Sequence, residues 1–223
     1  MLEIAPEDIA KSLRADNPWW SQGLSAEEAP YPTRRAYFHE FRDLALNREV
    51  RRSVILLGPR RVGKTVMLEQ FIADCIREGQ DPRTILYASL DTPLYSGIPL
   101  ERLMDLFQQE TGHDPEGQRI VIFDEIQYLK DWEKHLKVLT DRYPRTRFIA
   151  SGSAAAALRL KSNESGAGRF TDFLLPPLTF AEFLRFRGKE DELIQSVQEQ
   201  PVRRFQGTDI DRLNEEFVDY LNF

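Results

Sequence analysis

Cysteine occurs once in these 223 residues and histidine three times, which excludes a disulfide framework and leaves no spacing from which a zinc site can be built. Cys75 falls within an apolar helical pattern and reads as core packing in a reducing compartment, while His39, His113 and His135 are scattered. Long apolar runs are missing as well: none approaches the roughly 20 residues that cross a bilayer, so no membrane partner is expected. Met1 to Lys11 hold three acids and no basic, apolar leader, so neither a signal nor a transit peptide is expected and the chain is assigned to the cytoplasm. Basic residues are the minority, 30 against 36 acids, and the net charge of -6 argues against a protein that coats nucleic acid through bulk electrostatics. A local patch around Arg34-Arg35 or Arg203-Arg204 stays open, although arginine pairs are more often solvated faces. No repeat or low-complexity tract divides the chain, and 41% hydrophobic residues suffice for one α/β domain with extensions.

What is present is concentrated in two segments. The apolar run Val54, Ile55, Leu56, Leu57 leads directly into Gly58-Pro59-Arg60-Arg61-Val62-Gly63-Lys64-Thr65-Val66, whose Gly-x4-Gly-Lys-Thr spacing fits a phosphate-binding loop at a strand-to-helix turn. Two glycines let the backbone wrap a polyphosphate, with amides from Val62 to Thr65 and the following helix's positive end turned toward it. Lys64 is placed to contact the terminal phosphates, and Thr65 to offer its hydroxyl to a magnesium ion bridging them. About sixty residues on, the run Ile120, Val121, Ile122, Phe123 ends in Asp124-Glu125. Paired carboxylates at the end of a buried strand are costly unless they have work: Asp124 holding the magnesium, Glu125 polarising the attacking water. An isolated Asp-Glu would read as two solvated acids; sharing a chain with the loop favours the chemical reading.

Helices and strands alternate around these segments. Met67, Leu68, Phe71, Ile72, Cys75 and Ile76 repeat at helical spacing up to Gly79, and Thr84 to Leu90 is a second strand. Leu100, Leu103, Met104 and Phe107 mark a helix closed by Gly112, and Trp132, Leu136, Leu139 and Tyr143 mark another with Asp131 as its cap. Arg147 to Ser151 and Phe170 to Leu175 complete a five-stranded parallel sheet, whose ligands are expected at the carboxyl ends of the strands.

The acidic pair resembles the additional-strand, catalytic-glutamate branch of P-loop NTPases, which implies the strand order 5-1-4-3-2. The inserted strand is then Arg147 to Ser151, and its tip lies between Lys64 and Glu125. That position suits Ser151, with Ser153 as second choice, for bonding the attacking water or the terminal phosphate, unless Ser151-Gly152-Ser153 is only a turn. GPRRVGKT, ILYASLD, IVIFDEIQ with the later Trp132, SGS, GRF and PLTFAEFL together resemble the prokaryotic AAA-type ATP-binding family, in which a P-loop domain precedes a C-terminal domain of unknown function. The resemblance runs from about Arg34 to Phe223 and implies ATP with Mg2+ rather than GTP; no Asn-Lys-x-Asp run is present. It also implies a homo-oligomer in which Arg169, just ahead of the fifth strand, acts on a neighbour's nucleotide, although an arginine at a loop edge is as often merely solvated.

The expected organisation is an extension over residues 1–33, an ATPase core over 34–178, and a helical segment over 179–223 leading into a further C-terminal domain. Proteins of this family continue into a Gly-Gly-Phe-Pro stretch, so the chain reads as cut. The apolar stripe Leu213, Phe217, Tyr220, Leu221 should then pack on the core or on the absent part. In the extension, Pro18-Trp19-Trp20 and Tyr31-Pro32 read as pins onto the domain surface, and the resemblance to AAA-type proteins implies that Tyr37 or Phe38, ahead of the first strand, approaches adenine. Ala154 to Arg169 reads as an alanine-rich helix followed by a mobile loop. Three functions are compatible with this pattern: an ATPase coupling its nucleotide state to a partner or attached domain, an ATP-gated switch with negligible hydrolysis, and a nucleic-acid-handling motor. Glu125 favours the first, since a pure switch needs no base beside the metal ligand.

Overall fold

The computed structural model of the protein describes residues 5–22, 31–49, 51–114, 116–153, 168–199 and 202–222. They form two compact units, residues 1–32 with 37–176, and residues 33–36 with 177–223.

The first unit is built on β1 (Ser53–Leu57), β2 (Ile85–Ser89), β3 (Arg119–Asp124), β4 (Thr146–Gly152) and β5 (Phe170–Leu174). All pairings are parallel and the order is β2-β3-β4-β1-β5, the 5-1-4-3-2 arrangement read in reverse. Every residue of β1, β3 and β4 is buried, which explains their unbroken apolar runs: a parallel sheet covered on both faces has no solvent side to alternate with. Successive side chains divide between two cores. Ile55, Leu57, Val121, Phe123, Phe148 and Ala150 pack beneath α1 (Pro6–Asp16), α5 (Leu100–Thr111) and α6 (Trp132–Arg142). Val54, Leu56, Ile120, Ile122 and Ile149 pack against α3 (Phe38–Leu46) and α4 (Lys64–Arg77).

Helix ends follow their local chemistry. Gly79, at φ +95°, closes α4 while Gln80 N donates back to Cys75 O at 2.9 Å, and Gly112, at φ +61°, closes α5. Asp131 departs from expectation: it sits in the left-handed region and makes no side-chain cap, its carboxylate pairing instead with Lys134 at 3.3 Å. A left-handed residue there turns its side chain away from the helix's first amides.

Residues 5–22 carry more regular structure than their sequence indicated. Ile9, Ala10 and Leu13 make a short apolar face on α1, and α2 (Trp19–Gln22) follows. Trp19 and Trp20 both donate their indole N–H to Ile85 O, at 3.2 and 2.7 Å, and Trp20 stacks on Phe107 at 5.4 Å. Asn17 bonds both backbone groups of Tyr87, at 2.7 and 2.8 Å, occupying the open edge of β2 as a further strand would.

The second unit contains α7 (Phe180–Phe186), α8 (Glu190–Leu193), the antiparallel hairpin of β6 (Ile194–Glu199) and β7 (Val202–Gly207), and α9 (Ile210–Leu221). The segment expected to be helical thus includes a hairpin, where the alternation Ile194, Ser196 against Phe205, Gly207 was too weak a period-two signal to notice. Part of the stripe on α9 packs on α7, within its own unit: Phe180 lies 5.2 Å from Phe217 and 5.6 Å from Tyr220, while Leu221 is exposed.

Glu182 organises this unit. It closes a capping box with Thr179 and takes a charge-assisted hydrogen bond from Arg35 Nε at 2.8 Å, with both side chains buried. Half of the Arg34-Arg35 candidate patch is therefore spent internally, and the side chains of Arg203 and Arg204 lie outside the described residues. Burial pushes the Glu182 carboxyl up, but hydrogen bonds from Arg35, Thr179 and Ala36 outweigh it and hold the group at about 2. A folded-state value below the ordinary glutamate value of 4.5 means this contribution is complete above pH 4.5 and is lost as pH falls through about 2. Thermal unfolding followed from pH 6 to pH 2 should show that loss, and Glu182→Gln, which removes the negative charge facing buried Arg35, should abolish it and lower the unit's stability at neutral pH.

Candidate nucleotide site

The loop from Gly58 to Gly63 joins β1 to α4 at the carboxyl edge of the sheet. Gly58 is obligatory there, since a Cβ would meet Leu175 O at 2.5 Å, and Leu175 N closes the same contact by donating to Leu57 O at 2.7 Å. Gly63 takes φ +90° and, with no side chain, offers no cap to the first amides of the 14-residue α4. Those amides and the helix dipole make a seat for an anion. Pro59, Arg60 and Arg61 are exposed on the loop, Val62 and Gly63 half-buried, and Val66 half-buried on the first turn of α4. Lys64 is buried and its ammonium bonds Pro59 O at 2.9 Å and Gly58 O at 3.2 Å, within the loop that would surround the phosphates.

Asp124, 1% exposed, is the hub of the site. Thr65 Oγ1 donates to its Oδ2 at 2.7 Å and Tyr87 Oη to the same oxygen at 2.9 Å. Ser151 Oγ donates to Oδ1, and Glu125 N reaches both Oδ1 and Ser151 Oγ at 3.0 Å. These donors are all neutral, so the carboxylate's charge is held by hydrogen bonds rather than by a salt bridge. Thr65 and Asp124, the two oxygen donors expected to serve magnesium, are thus in direct contact and fit a hard cation's preference for oxygen. Burial and the nearby Asp124 charge push Glu69 on α4 upward. The same two causes, with the hydrogen bond it donates to Asp124, keep Tyr87 a neutral phenol.

Glu125 adopts φ +51°, a left-handed conformation that costs a residue with a Cβ about 1–2 kcal/mol. It turns the chain sharply off β3, and its carboxylate accepts from Gln127 Nε2 while Gln127 Oε1 accepts from Ser153 N at 3.1 Å. Sequence reasoning missed Gln127 and Tyr87. Gln127 carries a signal in hindsight, an amide two residues past the acidic pair, whereas Tyr87 reaches Asp124 only through the β2–β3 pairing.

Lys64, Thr65, Asp124, Glu125 and Ser151 therefore gather at one edge, but Arg169 does not. Arg169 O accepts from Ser53 N at 2.9 Å at the start of β1, and its guanidinium pairs with Asp141 at 2.6 Å, at the other end of the strands. Phe38 is wholly buried in the core, which withdraws it as an adenine contact and leaves Tyr37, half-buried beside it. Residues 154–167, including the alanine-rich stretch, lie outside the described residues.

The sequence model for a family described as AAA domain matches residues 50–184. Among curated proteins, an uncharacterized protein of Methanocaldococcus jannaschii is 29% identical over 64% of this chain and 29% of its own length. One of Haemophilus influenzae is 27% identical over 62% of this chain and 34% of its own. The chain thus spans about a third of the curated relatives it matches. The solved structure of C. elegans PCH-2 is similar over 81% of this chain and 45% of that one, at 13% identity and a TM-score of 0.45.

Proposed function

The chain belongs to the AAA domain family, and from the site it carries we propose that it binds ATP with Mg2+ and hydrolyses it, coupling nucleotide state to a partner or attached domain. The observation that carries this reading is the contact of Thr65 Oγ1 with Asp124 Oδ2 beside the uncapped start of α4. In this reading the α4 amides and Lys64 hold the phosphates, and Thr65 and Asp124 hold the metal. The cation, when bound, neutralises charge on the phosphate oxygens. Glu125 orients and deprotonates water, and Ser151, fixed on Asp124, lines the space between the base and the terminal phosphate.

Lys64→Ala deletes the side chain held within the loop, and calorimetry on the folded variant should show ATP affinity reduced about tenfold or more. Asp124→Asn should weaken binding chiefly when magnesium is present. Unchanged affinity in Lys64→Ala would remove the reading.

A second reading, the ATP-gated switch, is favoured by one observation: the Glu125 carboxylate is occupied by Gln127, which is itself tied to the end of β4 through Ser153. A base held this way is unavailable to water until the amide lets go. Gln127→Ala should accordingly raise basal phosphate release several-fold; a turnover as negligible as before in the variant would favour the switch.

A further inference from the structure

At the edge of the sheet where β1 and β4 begin lies a cavity of about 230 Å³ lined by five arginines, Arg48, Arg51, Arg52, Arg145 and Arg147, and by no acidic residue. Composition does not account for this, since the whole chain carries more acids than bases. Arg48, Arg51, Arg52 and Arg145 are exposed, and among the described residues none of the four has a carboxylate partner. Arg145 spends one N–H on Glu116 O at 3.2 Å, which orients it without neutralising it. Arg147 forms the floor: buried, it donates to Ala45 O at 2.8 Å, Leu44 O at 3.0 Å and Arg52 O at 3.1 Å, tying the end of α3 to the segment that enters β1. Burial, then the neighbouring charge of Arg48, pushes its pKa down.

Like charges gathered around a concave, low-dielectric wall repel one another, and that wall focuses their field on whatever enters. A multivalent anion relieves the repulsion. The planar guanidinium fork matches phosphate oxygens in pairs, which a cluster of lysines would not do. The one aromatic in the lining, Phe148, is buried in the core, so no ring is offered for a base to stack on. The volume is below the roughly 300–1,000 Å³ of sites that enclose whole small molecules, and suits a group of phosphates rather than a complete nucleotide.

We propose that this cavity binds clustered phosphate groups, either of a short inorganic polyphosphate or of a single-stranded nucleic-acid backbone. It is separate from the nucleotide site, because the length of β1, roughly 16 Å, lies between Ser53 and Gly58, and it does not depend on the proposed ATPase reading.

The test uses the full chain carrying Lys64→Ala, so that the loop does not compete for the probes. Two probes are titrated at low and at physiological salt: inorganic tripolyphosphate by calorimetry and a labelled single-stranded oligothymidylate by fluorescence anisotropy. At least one should bind, more weakly at the higher salt, and Arg51→Ala/Arg52→Ala and Arg145→Ala should each lower its affinity about tenfold or more. These side chains are exposed, so the variants should keep the parent's unfolding temperature. As a check that needs no variant at them, the bound probe should protect Arg48, Arg51 and Arg52 from phenylglyoxal, read by peptide mass. Oligothymidylate binding lost in the variants identifies a nucleic-acid backbone as a ligand, and tripolyphosphate binding alone identifies a free polyanion. Binding of neither probe, or binding untouched by the substitutions and without protection, overturns the proposal.

Discussion

Glu125→Gln should bind ATP as the native chain does and release phosphate roughly a hundred- to ten-thousand-fold more slowly. The substitution keeps the side chain's length and its reach to Gln127, and removes only the negative charge that orients water and accepts its proton. Asp124 is untouched, because its contact with residue 125 is made by the backbone N–H, at 3.0 Å. Affinity and turnover should therefore separate, which calorimetry and a phosphate-release assay on the same preparation would establish. Equal turnover in the two proteins would move the base elsewhere or leave the switch as the better reading.

Arg169→Ala should abolish a concentration-dependent rise in specific activity while leaving ATP affinity largely intact. Arg169 immediately precedes β5, at the far end of the sheet from Lys64, so it has no route to the phosphates of its own chain. A second subunit could receive it. An arginine supplied in trans is worth about a thousand- to a hundred-thousand-fold in other phosphoryl-transfer systems. In the free chain the guanidinium is held by Asp141, an exposed pair worth at most about 1 kcal/mol, so release toward a neighbour costs little. Mixtures of Arg169→Ala and Glu125→Gln proteins, each inactive alone, should recover activity if the Glu125→Gln subunit donates its native Arg169 to the Arg169→Ala subunit, whose site keeps native Glu125. Co-assembled mixtures that stay silent would sink this role.

The strand order was legible through a resemblance: the acidic pair after one buried strand, with a glycine loop after another, is similar to the catalytic-glutamate branch of P-loop NTPases, and that branch implies the order the sheet has. That Lys64, Thr65 and Asp124 would be gathered at one edge was legible from local spacing, the glycine loop and the acidic pair each carrying its residues within a short stretch. Ser151 was singled out through the inserted strand that the resemblance implies, whereas its hydrogen bond to Asp124 comes from the β3–β4 pairing. Tyr87 and Gln127 were missed because a tyrosine in a strand and a glutamine in a turn are common, and their partners are set by tertiary contacts. Asp131 misled for a backbone reason: the residue type suits a cap, but its left-handed conformation does not. The arginine cavity is drawn from separated stretches, residues 48–52 and 145–147, neither of which stands out alone.

The burial of Cys75 has a practical consequence. It is the sole thiol of the chain, lies in the core on α4, and is pushed up to about 12 chiefly by burial. At neutral pH almost none of it is thiolate, so it should ignore maleimides and iodoacetamides while the protein stays folded. The native chain is thus already a blank background for site-directed labelling. Val138→Cys, at an exposed position on the helix that also bears Asp141, would give a single reactive handle for a fluorophore or spin probe, through which the approach of one subunit to another can be measured as a distance.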